Sequence, residues 1–276
     1  YDGEVYDHVR YRSRCANGRY HLQGKRSMRW RFNKGREFQA LDKYGNKYPV
    51  KWGNLNTAKM FGNRQVGSFG LVETINPMLW EMAGVPAPQA HWFHWRVVDG
   101  PEEAPSGNNS QYYGDFYGLY MATEVYGNRF LTAKSLPDGN IYKLNDVWGT
   151  GKDEQQAQGR YAVTNAQDYW NIRNNLDGNR TEAEIRGMMN CDKWYRWHTV
   201  VEAIRDYDFW PDCDKNMAWY FEPVAGSTNG ILWFLPYDYD DTWGPFWNEG
   251  KDEGWDAIYS GSIKTNLAQE YRNFIR

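Results

Sequence analysis

The sequence predicts an α+β protein of two lobes within a single domain of residues 1–276, strand-rich up to about residue 145 and helix-rich from about 146 onward. Three observations carry this prediction. Apolar Met28, Trp30 and Phe32 alternate with Arg29 and Arg31, the period of a strand with one buried face. After Gly151 the apolar spacing and the capping signals become helical. Near the C-terminal end, residues 230–244 read GILWFLPYDYDDTWG, a short apolar and aromatic run, with a proline near its end, that suits a buried strand.

Taken in order, residues 5–12 are expected to pair with the strand at 27–32 across a turn at Asn17 and Gly18, and Gly45 and Asn46 mark a second turn. A helix is expected from Ser68, with Leu71, Val72, Ile75, Leu79 and Met82 on one stripe, Pro77 kinking or breaking it and Gly84 ending it before Pro86 and Pro88. Strands follow at 92–98, 118–125 and 140–144, with a loop rich in Pro, Ser, Gly and Asn over 99–114. Residues 155–160 are polar and read as a mobile loop. Helices are expected at 165–176, at 181–189 with a capping box of Thr181 and Glu184, and at 193–206 with Trp197, Val200, Val201 and Ile204 aligned. The apolar run 217–221 reads as a strand leading toward Gly230.

The 276 residues suffice for a sizeable core, and 41% apolar with 24% charged residues describes a soluble globular chain. A net charge of -3 gives no footprint for nucleic acid, and no apolar run approaches the roughly 18 residues of a membrane span. Locally the start is basic: Arg10, Arg12, Arg14, Arg19, Lys25, Arg26, Arg29 and Arg31 either face phosphates or guard a sheet edge against pairing. Aromatic residues reach 17%, enough to fill a core or to stack on sugars. No signal-like start is present, and Tyr1 in place of Met marks a processed chain or a fragment. Cys15, Cys191 and Cys213 match no zinc spacing, which leaves open a Cys191–Cys213 disulfide or three thiols.

Two polar clusters carry chemistry. Asp238, Asp240 and Asp241 crowd three carboxylates where the strand should run out, and such crowding calls for a positive partner, most simply a divalent cation; a solvated acidic turn is the plain alternative. A calcium loop over Asp238, Asp240, Thr242 and Glu249 is disfavoured by Trp243 at the place that needs glycine. Upstream, PDCDKN at 211–216 places Asp212 and Asn216 four apart at the start of a strand, so a hairpin would bring both clusters to one end. An Asp that orients or deprotonates a hydroxyl, a nearby Asn and a second Asp on a metal suit phosphoryl transfer.

On these residues the chain resembles the CotH-type kinases, a family named for a spore-coat protein and similar in fold to atypical protein kinases. The matching pieces run in order: YRSR at 11–14, GKRSMRWRF at 24–32, MAGVPAP at 82–88, FYGLYMATEVYGNRFL at 116–131, GNIYKLN at 139–145, DCDKNMAWY at 212–220 and PYDYDDTWG at 236–244. The resemblance implies a two-lobed kinase-like fold and an ATP-dependent phosphotransferase that uses Mg2+ or Mn2+, with Ca2+ as the alternative ion. It implies Asp212 as the catalytic Asp, with Asp214 close enough to compete, and Asn216, Asp238 and Asp240 as metal ligands. Lys143 is implied at the nucleotide phosphates, with Lys25 competing for that role, and Glu124 at a lysine or at the nucleotide. The implied partner is a protein phosphoacceptor, carrying Ser or Thr, on a cell or spore surface or coat. A non-catalytic module of the same fold, binding glycans, partner proteins or calcium, stays open beside it. No glycine-rich phosphate loop of the ordinary kinase kind is present.

Overall fold

The computed structural model describes residues 1–14, 26–42, 44–58, 70–98, 116–145, 154–157, 159, 165–176, 180–204, 206, 215–239 and 242–243. It is a mixed α and β structure with antiparallel sheets, and it falls into two compact units, Tyr1–Gly62 with Pro88–Val125 and Asn63–Ala87 with Tyr126–Arg276. The turn expected at Asn17 and Gly18, the helix start at Ser68 and the loop over 99–114 lie outside the described residues.

The first unit is a five-stranded antiparallel sheet of β1 (Arg10–Ser13), β2 (Met28–Arg31), β3 (Asn54–Ala58), β4 (Ala90–Arg96) and β5 (Phe116–Glu124), in the order β1-β2-β3-β5-β4. The strand expected there is present as β2, but its burial does not alternate: Met28, Arg29 and Trp30 are all half-buried and Arg31 is exposed. Trp30 lies opposite Tyr11 on β1 and Leu55 on β3, its indole N–H donates to Thr57 Oγ1 at 3.0 Å, and its ring lies 5.0 Å from that of Trp95. Phe38, Tyr48, Trp52 and Tyr120 are buried in this unit, so part of the high aromatic content fills a core. The turn at Gly45 forms around Asp42, whose Oδ1 accepts from the backbone N–H groups of Tyr44 and Asn46, both at 2.8 Å.

The second unit is built on a four-stranded antiparallel sheet of β6 (Asn140–Asn145), β7 (Glu154–Ala157), β8 (Lys215–Glu222) and β9 (Ile231–Pro236), in the order β7-β6-β8-β9. Its helices are α1 (Leu71–Met82), α2 (Asn128–Ala133), α3 (Gln167–Asn175), α4 (Glu182–Met188) and α5 (Cys191–Ala203). The central strands are apolar on both sides because both faces are covered. Met217, Trp219, Phe221, Leu232 and Phe234 pack with Trp80, Trp194, Trp197 and Ile172, while Ala218, Tyr220 and Leu235 pack with Tyr126, Phe130 and Ile141. That double burial explains the continuous apolar runs at 217–221 and 231–235, where a sheet wet on one face would alternate. Buried Asp168 ties α3 to β6 by accepting from Asn140 Nδ2 and Tyr142 OH, each at 2.8 Å.

Three further expectations need correction. The helix α1 is phased differently from the expected stripe: Val72, Asn76, Pro77 and Trp80 are buried, while Leu71, Ile75 and Met82 are exposed. The indole of Trp80 reaches the core and donates to the Trp197 carbonyl at 3.2 Å, and burying that large ring turns Val72 and Asn76 inward with it. The helix does end at Gly84. With φ of 80°, Gly84 donates to the Glu81 carbonyl and Val85 donates to that of Trp80, and Trp80 and Val85 meet in the core. Second, residues 155–157 belong to β7, where backbone pairing with β6 orders a polar sequence. Third, Cys191 is a buried free thiol, so the Cys191–Cys213 disulfide is not formed; the Sγ donates to the Met189 carbonyl at 3.7 Å. The capping box of α4 is as expected, with Thr181 Oγ1 accepting from the Glu184 N–H and the Glu184 carboxylate accepting from that of Thr181.

Candidate functional site

The site grows out of strand ends in the second unit. The strands β8 and β9 are antiparallel with Met217 opposite Pro236, so the start of β8 and the end of β9 lie at one end of the sheet. On the other side of β8, Leu144 faces Met217 and Asn145 faces Lys215, which leaves Asn216 as an extra residue in the ladder, a bulge. Its backbone is left-handed at φ 61° and its side chain is buried. Asp238, two residues beyond β9, is left-handed at φ 57° and exposed. Asn and Asp tolerate this region better than other side chains because their short polar groups bond locally. Lys143, opposite Ala218 on β6, places its Nζ 4.3 Å from the centre of the Tyr237 ring, beside Asp238. The sheet register thus gathers Lys143, Asn216 and Asp238 at one end.

Helix α1 closes the site from another direction. Fully buried Asn76 donates from Nδ2 to the Tyr239 carbonyl at 3.0 Å and to Thr242 Oγ1 at 2.8 Å, and its Oδ1 accepts from the Trp243 indole at 2.7 Å. Trp243 is itself left-handed at φ 71°, and its N–H is held by the Ile204 carbonyl at 2.8 Å. One turn before Asn76, Glu73 sits in the first turn of α1 with Oε2 buried and without a hydrogen-bond partner among the described residues. Burial pushes its carboxyl up to about 7, its own backbone N–H opposes that rise, and the Asp238 carboxylate adds to it. Neither Glu73 nor Asn76 was singled out from sequence. The signal available was a polar residue, Asn76, on an apolar stripe between Val72 and Trp80.

Glu124, at the end of β5, belongs to the first unit. It is buried and accepts from the Gln89 backbone N–H at 3.1 Å and from Tyr48 OH at 3.4 Å. Asp212, Asp214, Lys25, Asp240, Asp241 and Glu249 lie outside the described residues. Among the described residues no three His, Cys, Asp or Glu side chains cluster as a preformed metal cage. The donors present nevertheless fit a Mg2+-like ion, which takes one or two carboxylates and completes its shell with water and phosphate oxygens. The buried, unpartnered oxygen of Glu73 beside Asp238 marks a place where positive charge would be favourable.

No helix among the described residues is long and apolar enough to cross a membrane. No match to the chain is found among curated proteins. A family model described as CotH kinase protein matches residues 71–272, more than half of the chain, and its span takes in α1, the four-stranded sheet and the strand ends that carry Lys143, Asn216 and Asp238. The chain therefore belongs to the CotH kinase family.

Proposed function

We propose that the protein is an ATP- and divalent-cation-dependent phosphotransferase of two-lobed, kinase-like build, transferring phosphate to Ser or Thr of a surface or coat protein. The observation that carries this reading is the convergence of Lys143, Asn216 and Asp238 at one sheet end, with Glu73 beside Asp238. In the proposal, Lys143 neutralises phosphate charge, with Lys25 as its competitor, and Glu124 steadies a lysine or the nucleotide. Asn216, Asp238 and Asp240 hold the cation, Mg2+ or Mn2+. When bound, that ion supplies charge neutralisation at the β- and γ-phosphates. Asp212 orients the acceptor hydroxyl and takes its proton as the oxygen bonds to the γ-phosphorus; the bond from that phosphorus to the β,γ-bridging oxygen breaks and ADP leaves with the electron pair.

The test is the thermal midpoint of the protein with ATP plus Mg2+ or Mn2+, against each alone, against Ca2+ alone and against ATP with chelator. A ligand that binds only the folded state at a hundredfold excess over its Kd stabilises by about 2.7 kcal/mol. The expected result is a rise that needs ATP and cation together, and phosphate transfer to a Ser- and Thr-containing protein that Asp212→Ala abolishes. A rise with Ca2+ alone, or none with ATP, overturns the reading in favour of a non-catalytic module.

A further inference from the structure

Asp238 stands between two neighbours that are held by different helices of the second unit. On its N-terminal side the hydroxyl of Tyr126, just ahead of α2, donates to the Pro236 carbonyl, and the Tyr126 ring lies 6.4 Å from that of Tyr237. On its C-terminal side α1 holds Tyr239: the Trp80 ring lies 5.3 Å from the Tyr239 ring, and Asn76 donates to the Tyr239 carbonyl at 3.0 Å. The two helices are themselves joined. Lys134, which ends α2, donates from Nζ to the Glu81 carboxylate on α1. Both side chains are largely withdrawn from water, Lys134 at 12% exposed and Glu81 at 26%. The contacts therefore close a ring, from Pro236 through α2 and α1 back to Tyr239, with Asp238 at the point where the ring meets the strand end.

We propose that Lys134 and Glu81 are positioning residues, a clasp between α2 and α1 that sets where Asp238 stands for the cation. An ion pair so far out of water loses hydration on both charges, and well-packed apolar side chains of the same volume would stabilise a fold as well or better. The best-attested use of such a pair is to select one arrangement of packed elements over its neighbours. Here the arrangement selected is that of the two helices flanking Asp238. Lys134 is itself aimed by packing, with Nζ 5.8 Å from the centre of the fully buried Phe130 ring. The C-terminal end of α1 is held separately, by Lys193 and Arg196 of α5 donating to the Gly84 and Ala83 carbonyls at 2.6 and 3.1 Å. The clasp thus adds the setting of α1 against α2 rather than the anchoring of α1 itself. The backbone of Asp238 fits this role, since a left-handed φ of 57° on a residue with a side chain persists where its surroundings over-determine it. The inference rests on the phosphotransferase reading for the identity of the ligand, and on the contacts alone for the placing of Asp238.

The experiment compares the wild-type chain with Lys134→Met and with the charge swap Lys134→Glu/Glu81→Lys, by two readouts. The first needs no ligand: amide hydrogen exchange at Trp243, whose N–H is held by the Ile204 carbonyl, against Tyr220 in the middle of β8. The Tyr220 amide follows global unfolding, so a merely structural pair would speed both amides alike. The expected result is that Lys134→Met speeds Trp243 about tenfold more than Tyr220. The second readout is titration calorimetry of ATP with Mn2+ in excess, at a temperature where each protein is fully folded. There Lys134→Met is expected to raise the Kd about tenfold. The charge swap should restore both quantities. Equal acceleration at the two amides with an unchanged Kd overturns the proposal, and so does a swap that restores neither quantity, because the lysine stem would then act by packing alone. If Lys134→Met does not fold, Glu81→Gln, which keeps an acceptor for Lys134, carries the same test with a smaller effect. Selective acceleration at Trp243 in a protein whose wild type binds no ATP with Mn2+ would sink the phosphotransferase reading and leave the clasp as what fixes Asp238.

Discussion

The two ends of the strand pair β8 and β9 solve one geometric problem with different residues. At the turn end the left-handed positions are Gly226 at φ 77° and Gly230 at φ 64°, and a Cβ on Gly230 would stand 2.7 Å from the Glu222 carbonyl oxygen. Nearby, a Cβ on Gly139, just before β6, would stand 2.0 Å from the Phe221 oxygen. Here the chain only has to turn and pack, and glycine does both without strain. At the opposite end the left-handed positions are Asn216, Asp238 and Trp243. Each is a conformation glycine would adopt more easily, yet each carries a side chain. The difference separates backbone that turns from backbone that presents a group, because strained non-glycine positions persist where the surroundings over-determine them. At Asp238 and Trp243 that role falls to α1, through Asn76.

The largest effect expected from this contrast is at the turn end. Gly139→Ala forces a methyl group against the Phe221 carbonyl and the Tyr220 ring, neither of which can retreat without disturbing β8. A loss of about 3 kcal/mol is expected in urea denaturation, the upper part of the range for overpacking a tight site. The stabilisation per bound ATP and cation should be unchanged in the fraction that folds. A loss in ligand response larger than the loss in stability would mean that the two ends are not separable.

A smaller effect is expected at the junction between helix and loop. Asn76→Ala removes three hydrogen bonds and leaves the Trp243 indole and the Thr242 hydroxyl buried or half-buried without Asn76. Loss of about 2 kcal/mol is expected, the scale of leaving a buried polar group unpaired. Unlike Gly139→Ala, it should also weaken the ATP- and cation-dependent midpoint rise, because Tyr239 and Trp243 would no longer be fixed on either side of the acidic stretch. An unchanged rise would confine Asn76 to packing.

This contrast also separates what could be read from the chain from what could not. The hairpin at 217–237 was legible because both strands are short, apolar and bounded, and an antiparallel pair must bring Asn216 and Asp238 to one end. The capping box at Thr181 and the stop at Gly84 were legible because each is encoded within a few neighbouring residues. Glu73 and Asn76 were not, since their partners lie more than 160 positions away and leave no period in the local sequence. The phase of α1 was misread for a related reason. Counting apolar residues favours Leu71, Ile75 and Met82, whereas the fold weighs one large ring, Trp80, and one satisfied polar side chain, Asn76, more heavily. The polar sequence of β7 was hidden because backbone pairing at a sheet edge needs no apolar pattern.

The smallest stability change is expected where the functional loss is largest. Asp238→Gly places glycine in a left-handed position that glycine prefers, relieving strain while adding freedom to the unfolded chain, and these opposed terms are each about 1 kcal/mol or less. It also removes the carboxylate that disfavours ionisation of Glu73, a further small gain. The unfolding midpoint should therefore move little in either direction, while the rise that needs ATP and cation together disappears. Near-neutral stability with lost ligand response is the signature of a residue kept for its side chain against the preference of its backbone. If Asp238→Gly instead unfolds the protein as Gly139→Ala does, the carboxylate is part of the scaffold. The two ends of the hairpin would then differ only in how they turn.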